Sequence, residues 1–134
     1  MTFTPAAKKT ITDFLDDTRT TVNDYDLILT GDLGYVGSKL LHELMRGEEK
    51  IDLASVHKDC GLLMFDRKTQ DVHAGGSGCG CCASIFCTKI MNELRTGQLK
   101  KVLVVATGAL MSSTSSLQGE SIPGVAHAVL VEAE

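Results

Sequence analysis

Apolar residues recur along the first third of the chain at helical spacing. Ala7, Ile11, Phe14 and Leu15 stand at i, i+4, i+7 and i+8, behind a Thr4-Pro5 start, which predicts a helix from Pro5 to about Asp17. The pattern then changes. "YDLILT", Tyr25 to Thr30, is a short and nearly continuous apolar run stopped by Gly-Asp-Leu-Gly, the mark of a strand buried on both faces. Val36, Leu40, Leu41 and Leu44 return to one helix face, and Gly47 is a natural stop. The middle, Ile51 to Gly61, has weak periodicity, and "GLLMF" reads either as a strand or as a buried connection. Ala83, Phe86, Cys87, Ile90, Met91 and Leu94 predict a further helix ending at Gly97. "KKVLVVATG" is a second buried strand, "MSSTSSLQGESIPG" a solvated Ser/Gly-rich loop, and "VAHAVLVE" a last strand. Strands alternating with helices in this way predict right-handed crossovers in a mostly parallel sheet, an α/β fold in a single domain.

Composition adds exclusions. The chain has 134 residues, enough for one real core and short for two. Thirteen Lys and Arg face 17 Asp and Glu, a net charge of −4 with no basic stripe, so no nucleic acid partner is expected. "VLVVA" is too short to span a bilayer, and "MTFTPAAKKT" has no signal-peptide core, so the expected address is cytoplasmic. Thiols stay reduced there and five cysteines is an odd number, which argues against a disulfide framework.

The chemistry concentrates in "HAGGSGCGCCASIFCTKI", where four cysteines fall within nine residues behind a glycine run. Cys87 lies on the predicted apolar stripe and is expected in the core, as is Cys60. Cys79, Cys81 and Cys82 lie in the turn or the first helical turn. "CGCC" lacks the second ligand pair of a tetrahedral metal site. A helix N-terminus favours a thiolate, but a nucleophile wants a positioned base, and His73 is separated from these thiols by glycines. The glycine run supplies close backbone approach and free N–H donors, a pocket for an anion or a polarised oxygen. His42 and His57 read as solvated surface, and His127 as a hydrogen-bonded core or pocket histidine. Asp32 follows a buried strand and precedes a helix, where it serves equally well as helix cap or as part of a strand-end ligand site.

Four motifs in register, "DYDLILTGDLGYVG", "AGGSGCGC", "KKVLVVATGALMS" and "ESIPGVAHAVLVE", closely resemble the C-terminal half of the stage V sporulation protein AD family, within the thiolase-like superfamily. The resemblance covers about Pro5 to Glu132. It implies a thiolase-like half-domain, a mostly parallel mixed sheet of about five strands carrying helices, whose N-terminal half is absent from this chain and is expected as its partner. In the acyl-transferring members of that superfamily a His or Asn follows the first buried strand, and that position falls on Gly31. A second His or Asn in the glycine turn falls on Cys79, and the C-terminal cysteine of thiolases falls on Glu120. Neither Gly31 nor Cys79 replaces a good oxyanion donor, whose loss costs about 3 kcal/mol. The resemblance therefore implies a non-catalytic protein without a cofactor. Its implied ligand is pyridine-2,6-dicarboxylic acid (dipicolinate), taken up into the developing spore with membrane proteins of the same system, at the periphery of the forespore inner membrane. The expected pocket edge is Gly31, Asp32, Gly76, Ser77 and Cys79, with calcium accompanying the dianion where Asp32 faces it. Two alternatives stay open: an acyltransferase half whose nucleophilic cysteine lies in the N-terminal half, and a thiol sensor built on Cys79, Cys81 and Cys82. A lone half would leave apolar surface uncovered, so a homo-oligomer burying on the order of 1,000 Å² is expected.

Overall fold

A computed structural model describes residues 3–109 and 112–134. Among the described residues four strands, rather than the expected five or so, form one mixed sheet in the order β2-β1-β3-β4, where β1 is Leu27–Thr30, β2 His57–Asp59, β3 Lys101–Ala109 and β4 Gly124–Glu132. The first three are parallel, and β4 runs antiparallel to β3 over nine residue pairs, Lys101 opposite Glu132 to Ala109 opposite Gly124. The α/β alternation is as the hydrophobic pattern predicts. The stretch "GLLMF" takes neither predicted form: Cys60–Met64 is a short helix, α3.

Two helices cover one face of the sheet. Helix α1, Phe3–Thr18, buries Ala7, Ile11 and Leu15, and α2, Gly34–Glu48, buries Leu41 and Met45, all against Ile28, Leu103 and Val105. Thr4 is no cap; it is buried inside α1, and its hydroxyl donates to the Gly37 carbonyl of α2. The opposite face carries α3 and a helix over residues 81–95. That helix begins as α4, Cys81–Ile85, passes through a π-helical turn at Phe86–Ile90 and ends as α5, Met91–Arg95.

The π turn corrects the predicted helix phase. The residues buried against Leu27, Leu29 and Val102 are Cys81, Ile85, Ile90 and Leu94, a spacing of four, five and four. The extra residue rotates the seam, so Ala83, Cys87 and Met91, placed in the core by a regular 3.6-residue period, are exposed. The strand calls for a second correction. His127 is exposed, because β4 extends past the edge of this helix: Val125 and Val129, which alternate with Ala126 and Ala128, are 42% and 58% exposed. One face of the sheet is thus covered along its length, and the other only in part.

Candidate functional site

In a parallel pair the strands end on the same side, so the residues following β1 and the end of β3 meet. Gly31 and Asp32 follow β1 directly, and the glycine turn before residue 81 folds over them. The result is a cavity of about 590 Å³ bounded by Gly31, Asp32, Ser77, Gly78, Cys79, Cys82 and the end of β3. Of the five predicted pocket residues, Gly31, Asp32, Ser77 and Cys79 line this one cavity. Gly76 does not: it is buried, its N–H donates to the Gly61 carbonyl at 2.7 Å, and its α-carbon packs toward Met64 and Phe65. Glu120 lies in the exposed connection after the short helix α6, Ser113–Leu117, and is not among the cavity residues.

Backbone crowding explains the glycines below the turn. A side chain on Gly61 would start 2.4 Å from the Gly76 carbonyl oxygen, and one on Gly75, at φ +111°, 2.5 Å from that of Gly61. Gly31 is different. A Cβ there would meet Cys82 Cβ at 3.6 Å, an ordinary contact, so the lack of a side chain leaves that space to the cavity.

The two roles weighed for Asp32 separate cleanly. Asp32 Oδ2 accepts from the Gly78 N–H at 3.1 Å, tying the end of β1 to the turn. Capping of α2 falls to Asp59 of β2, whose carboxylate accepts from the N–H groups of Leu33 at 2.9 Å and Gly34 at 3.0 Å. No described residue accepts from the N–H groups of Ser77 and Cys79, both of which line the cavity.

The three clustered thiols point to three places. Cys79 is exposed at the cavity edge, and Cys81 is buried with Sγ 4.0 Å from the Gly31 carbonyl. Cys82 lies in the cavity wall against Cys60. A hydrogen bond from the Cys60 thiol draws Cys82 down to about 7, against burial and the Asp32 and Asp59 carboxylates, which push it up. Cys60 is raised by the same bond and by burial. Cys81 is raised by burial first, then by Asp32 and Asp59. Among the described residues no three His, Cys, Asp or Glu side chains are grouped to hold a metal ion. His73 is exposed, at φ +47°, with its ring beside Asp71 rather than any cysteine.

A second polar cluster went unread in the sequence, where His42 and His57 pass for surface residues. They are half-buried and bonded to each other, His42 Nε2 to His57 Nδ1, at 2.9 Å. His57 Nε2 lies 2.9 Å from Thr30 Oγ1, which donates to Asp59 Oδ1 at 2.6 Å. Burial, with His42 adding to it, lowers His57 to about 4. Burial also lowers His42, and it raises Asp59 despite the donors from Thr30, Gly34, Leu33 and Leu62. The available signal was His57 and Asp59 at i, i+2, one face of a strand, but three residues are too few for alternation to register.

Comparison with known proteins bears on the whole chain. The family model described as Stage V sporulation protein AD matches residues 1–132. Stage V sporulation protein AD of Bacillus subtilis (strain 168) is 47% identical over 128 residues, 96% of this chain and 37% of that protein's length. The chain spans little more than a third of this curated relative.

Proposed function

We propose, from the premise that this chain belongs to the stage V sporulation protein AD family, that it is a non-catalytic thiolase-like half-domain binding dipicolinate for delivery into the developing spore. One observation carries the reading. Gly31 and Cys79, the two positions where acyl-transferring relatives of the fold hold a polarising His or Asn, share one cavity and bring no strong side-chain donor to it. What the cavity does present is backbone N–H at Ser77 and Cys79, suited to carboxylate oxygens. The Asp32 carboxylate also stands there and already holds the Gly78 N–H. A bare dianion would be repelled by it. The neutral calcium chelate of dipicolinate is not, so the ligand is proposed to enter in that form, with calcium as cargo.

The half-covered sheet supports the partner proposal. Val125, Val129 and Met91 are exposed apolar residues on the side that carries the 81–95 helix, where an N-terminal half would pack, or a second copy in its absence. No helix among the described residues is long and apolar enough to cross a membrane, and the membrane proteins of the same system are the proposed partners for passage across the forespore membrane. Acyl transfer by a nucleophilic cysteine in the N-terminal half is the second reading. Incubating this chain together with the proposed N-terminal half and acyl-CoA separates the two: no CoA release and no acyl-enzyme is expected, and turnover refutes the proposal. In the same protein, Gly78→Val, at φ +107°, is expected to weaken calcium dipicolinate binding more than Cys81→Ser does. Equal effects would assign the turn a structural role only.

A further inference from the structure

The bonds of the buried polar cluster run in one direction. Thr30 has a single hydroxyl proton and gives it to Asp59 Oδ1, so Thr30 Oγ1 must accept from His57 Nε2–H. His57 is then neutral with a bare Nδ1, which accepts from His42 Nε2–H. The sequence of donors leaves His42 Nδ1 as the unshared lone pair at the outer end of the chain.

That outer end opens into a pocket of about 370 Å³ between α2, β2 and α3, apart from the glycine-turn cavity. Its apolar side is Tyr35, Leu62 and Leu63. Lys39 and Lys58 line it as well, and among the described residues neither ammonium group makes an ion pair or a hydrogen bond. Arg67 adds a third cation at the rim, its guanidinium carbon 4.1 Å from the centre of the Tyr35 ring. In the same wall Ser38 is 6% exposed, and its hydroxyl is buried with no partner among the described residues. The one anion lining the pocket, Asp59, is occupied by the Thr30, Leu33 and Gly34 donors.

We propose that this pocket is a second ligand site, taking a small carboxylic acid with an apolar body, whose carboxylate lies against Lys39 and His42, with Lys58 reaching it around the open edge of β2. The volume is at the small end of ligand pockets and suits a single ring. Two unpaired ammonium groups supply the charge, and the leucines and Tyr35 select against an inorganic anion. His42 makes the site proton-linked. With the carboxylate in place, Nδ1 takes up one proton and becomes a donor, while Nε2–H stays on His57. Burial and Arg46 on its own helix oppose the charged His42 ring and Asp52 from the following loop favours it; His57, Lys58 and Asp59 of β2 and Lys39 of α2 line the same pocket.

The test is an amide chemical-shift titration of this chain with benzoate at pH 5.5 and pH 7.5, with inorganic phosphate as the second probe. Saturable shifts are expected at Ser38, His42, Lys58 and Leu62, and not at Gly31 or Gly78. Binding is expected to be about tenfold tighter at pH 5.5, within what uptake of one proton permits. Lys58→Glu, an exposed position, should weaken benzoate at least tenfold at both pH values. His42→Gln should bind benzoate more weakly than the parent at pH 5.5 and lose the pH dependence. Absent saturation, shifts centred on the glycine turn, phosphate binding as tightly as benzoate, or an unchanged pH dependence in His42→Gln would each overturn the proposal. The site is independent of the dipicolinate reading, because the two cavities report through different amides.

Discussion

His57 makes the fold sensitive to mild acid, and the size of the effect follows from its surroundings. Burial and the neighbouring His42 hold it at about 4, against 6.5 for an unfolded histidine. A base kept neutral in the fold contributes stability that is fully present above pH 6.5 and is lost as pH falls toward 4. The full displacement corresponds to about 3 kcal/mol at 1.36 kcal/mol per pH unit. Between pH 7 and 4.5 the loss from His57 alone is about 2 kcal/mol, a large share of a stability of about 5–15 kcal/mol. His42, lowered as well, acts in the same sense. Asp59 acts in the opposite sense, since its raised carboxyl takes up a proton in the fold before the unfolded chain does at 3.8. Asp26, Asp52 and Asp66, all lowered from 3.8 by hydrogen bonds, act only below this window. Urea unfolding at pH 7, 6, 5 and 4.5, on the parent and on His57→Gln, separates these contributions. Glutamine keeps one donor and one acceptor but does not titrate. The parent should lose about 2 kcal/mol across the series and the variant less than about 1 kcal/mol. Parallel losses in the two proteins, or an NMR titration placing His57 near 6.5 in the fold, would refute the reasoning.

Three further outcomes are expected. Thiol labelling of the native chain should modify Cys79 and Cys87 well before Cys60 and Cys81, since the first pair is exposed and the second buried; early labelling of Cys60 would contradict the packing. Ile85→Ala or Ile90→Ala should cost about 2–5 kcal/mol in denaturant unfolding, whereas Met91→Ala, at an exposed position, should cost under about 1 kcal/mol, and a reversed order would restore the regular helix phase. Gly61→Ala should abolish or severely weaken folding, because its Cβ would start 2.4 Å from a backbone oxygen, while Gly80→Ala, with nothing within 4 Å, should be tolerated, as circular dichroism and thermal melts will show.

Much of the architecture was legible because local pattern and burial agreed. The β1 run "LILT" is buried at every position, and α1 keeps the period that places Ala7, Ile11 and Leu15 inward. What escaped the pattern had non-local causes. No periodicity announces a π turn, so Cys87 was assigned to a face that the extra residue rotates into solvent. The alternation in β4 describes a strand but not the width of the helix beneath it, which left His127 exposed rather than buried. Asp32 sits where a cap is expected, yet Asp59 reaches the α2 N–H groups from 26 and 25 residues away. The His42, His57, Thr30 and Asp59 chain unites α2, β2 and β1, and none of its members is distinctive in its own segment. The glycine-turn cavity was the most legible feature of the site, since Gly31 and Asp32 at a strand end and Ser77 and Cys79 before a helix must meet once β1 and β3 are parallel. Gly76 belonged to the same run but turned its backbone to Gly61.

The central claim is that calcium dipicolinate occupies the space left by Gly31. Gly31 carries no positive-φ constraint and has room for a Cβ, so Gly31→Ala should fold and serve as the control for Gly31→Val, whose methyl groups project further into the cavity. The most direct measurement is a calorimetric titration of this chain combined with the proposed N-terminal half, parent and both variants, with calcium dipicolinate. The account predicts binding by the parent and Gly31→Ala, at least tenfold weaker binding by Gly31→Val, and no binding of dipicolinate once calcium is chelated. Undiminished binding by a folded Gly31→Val would contradict it.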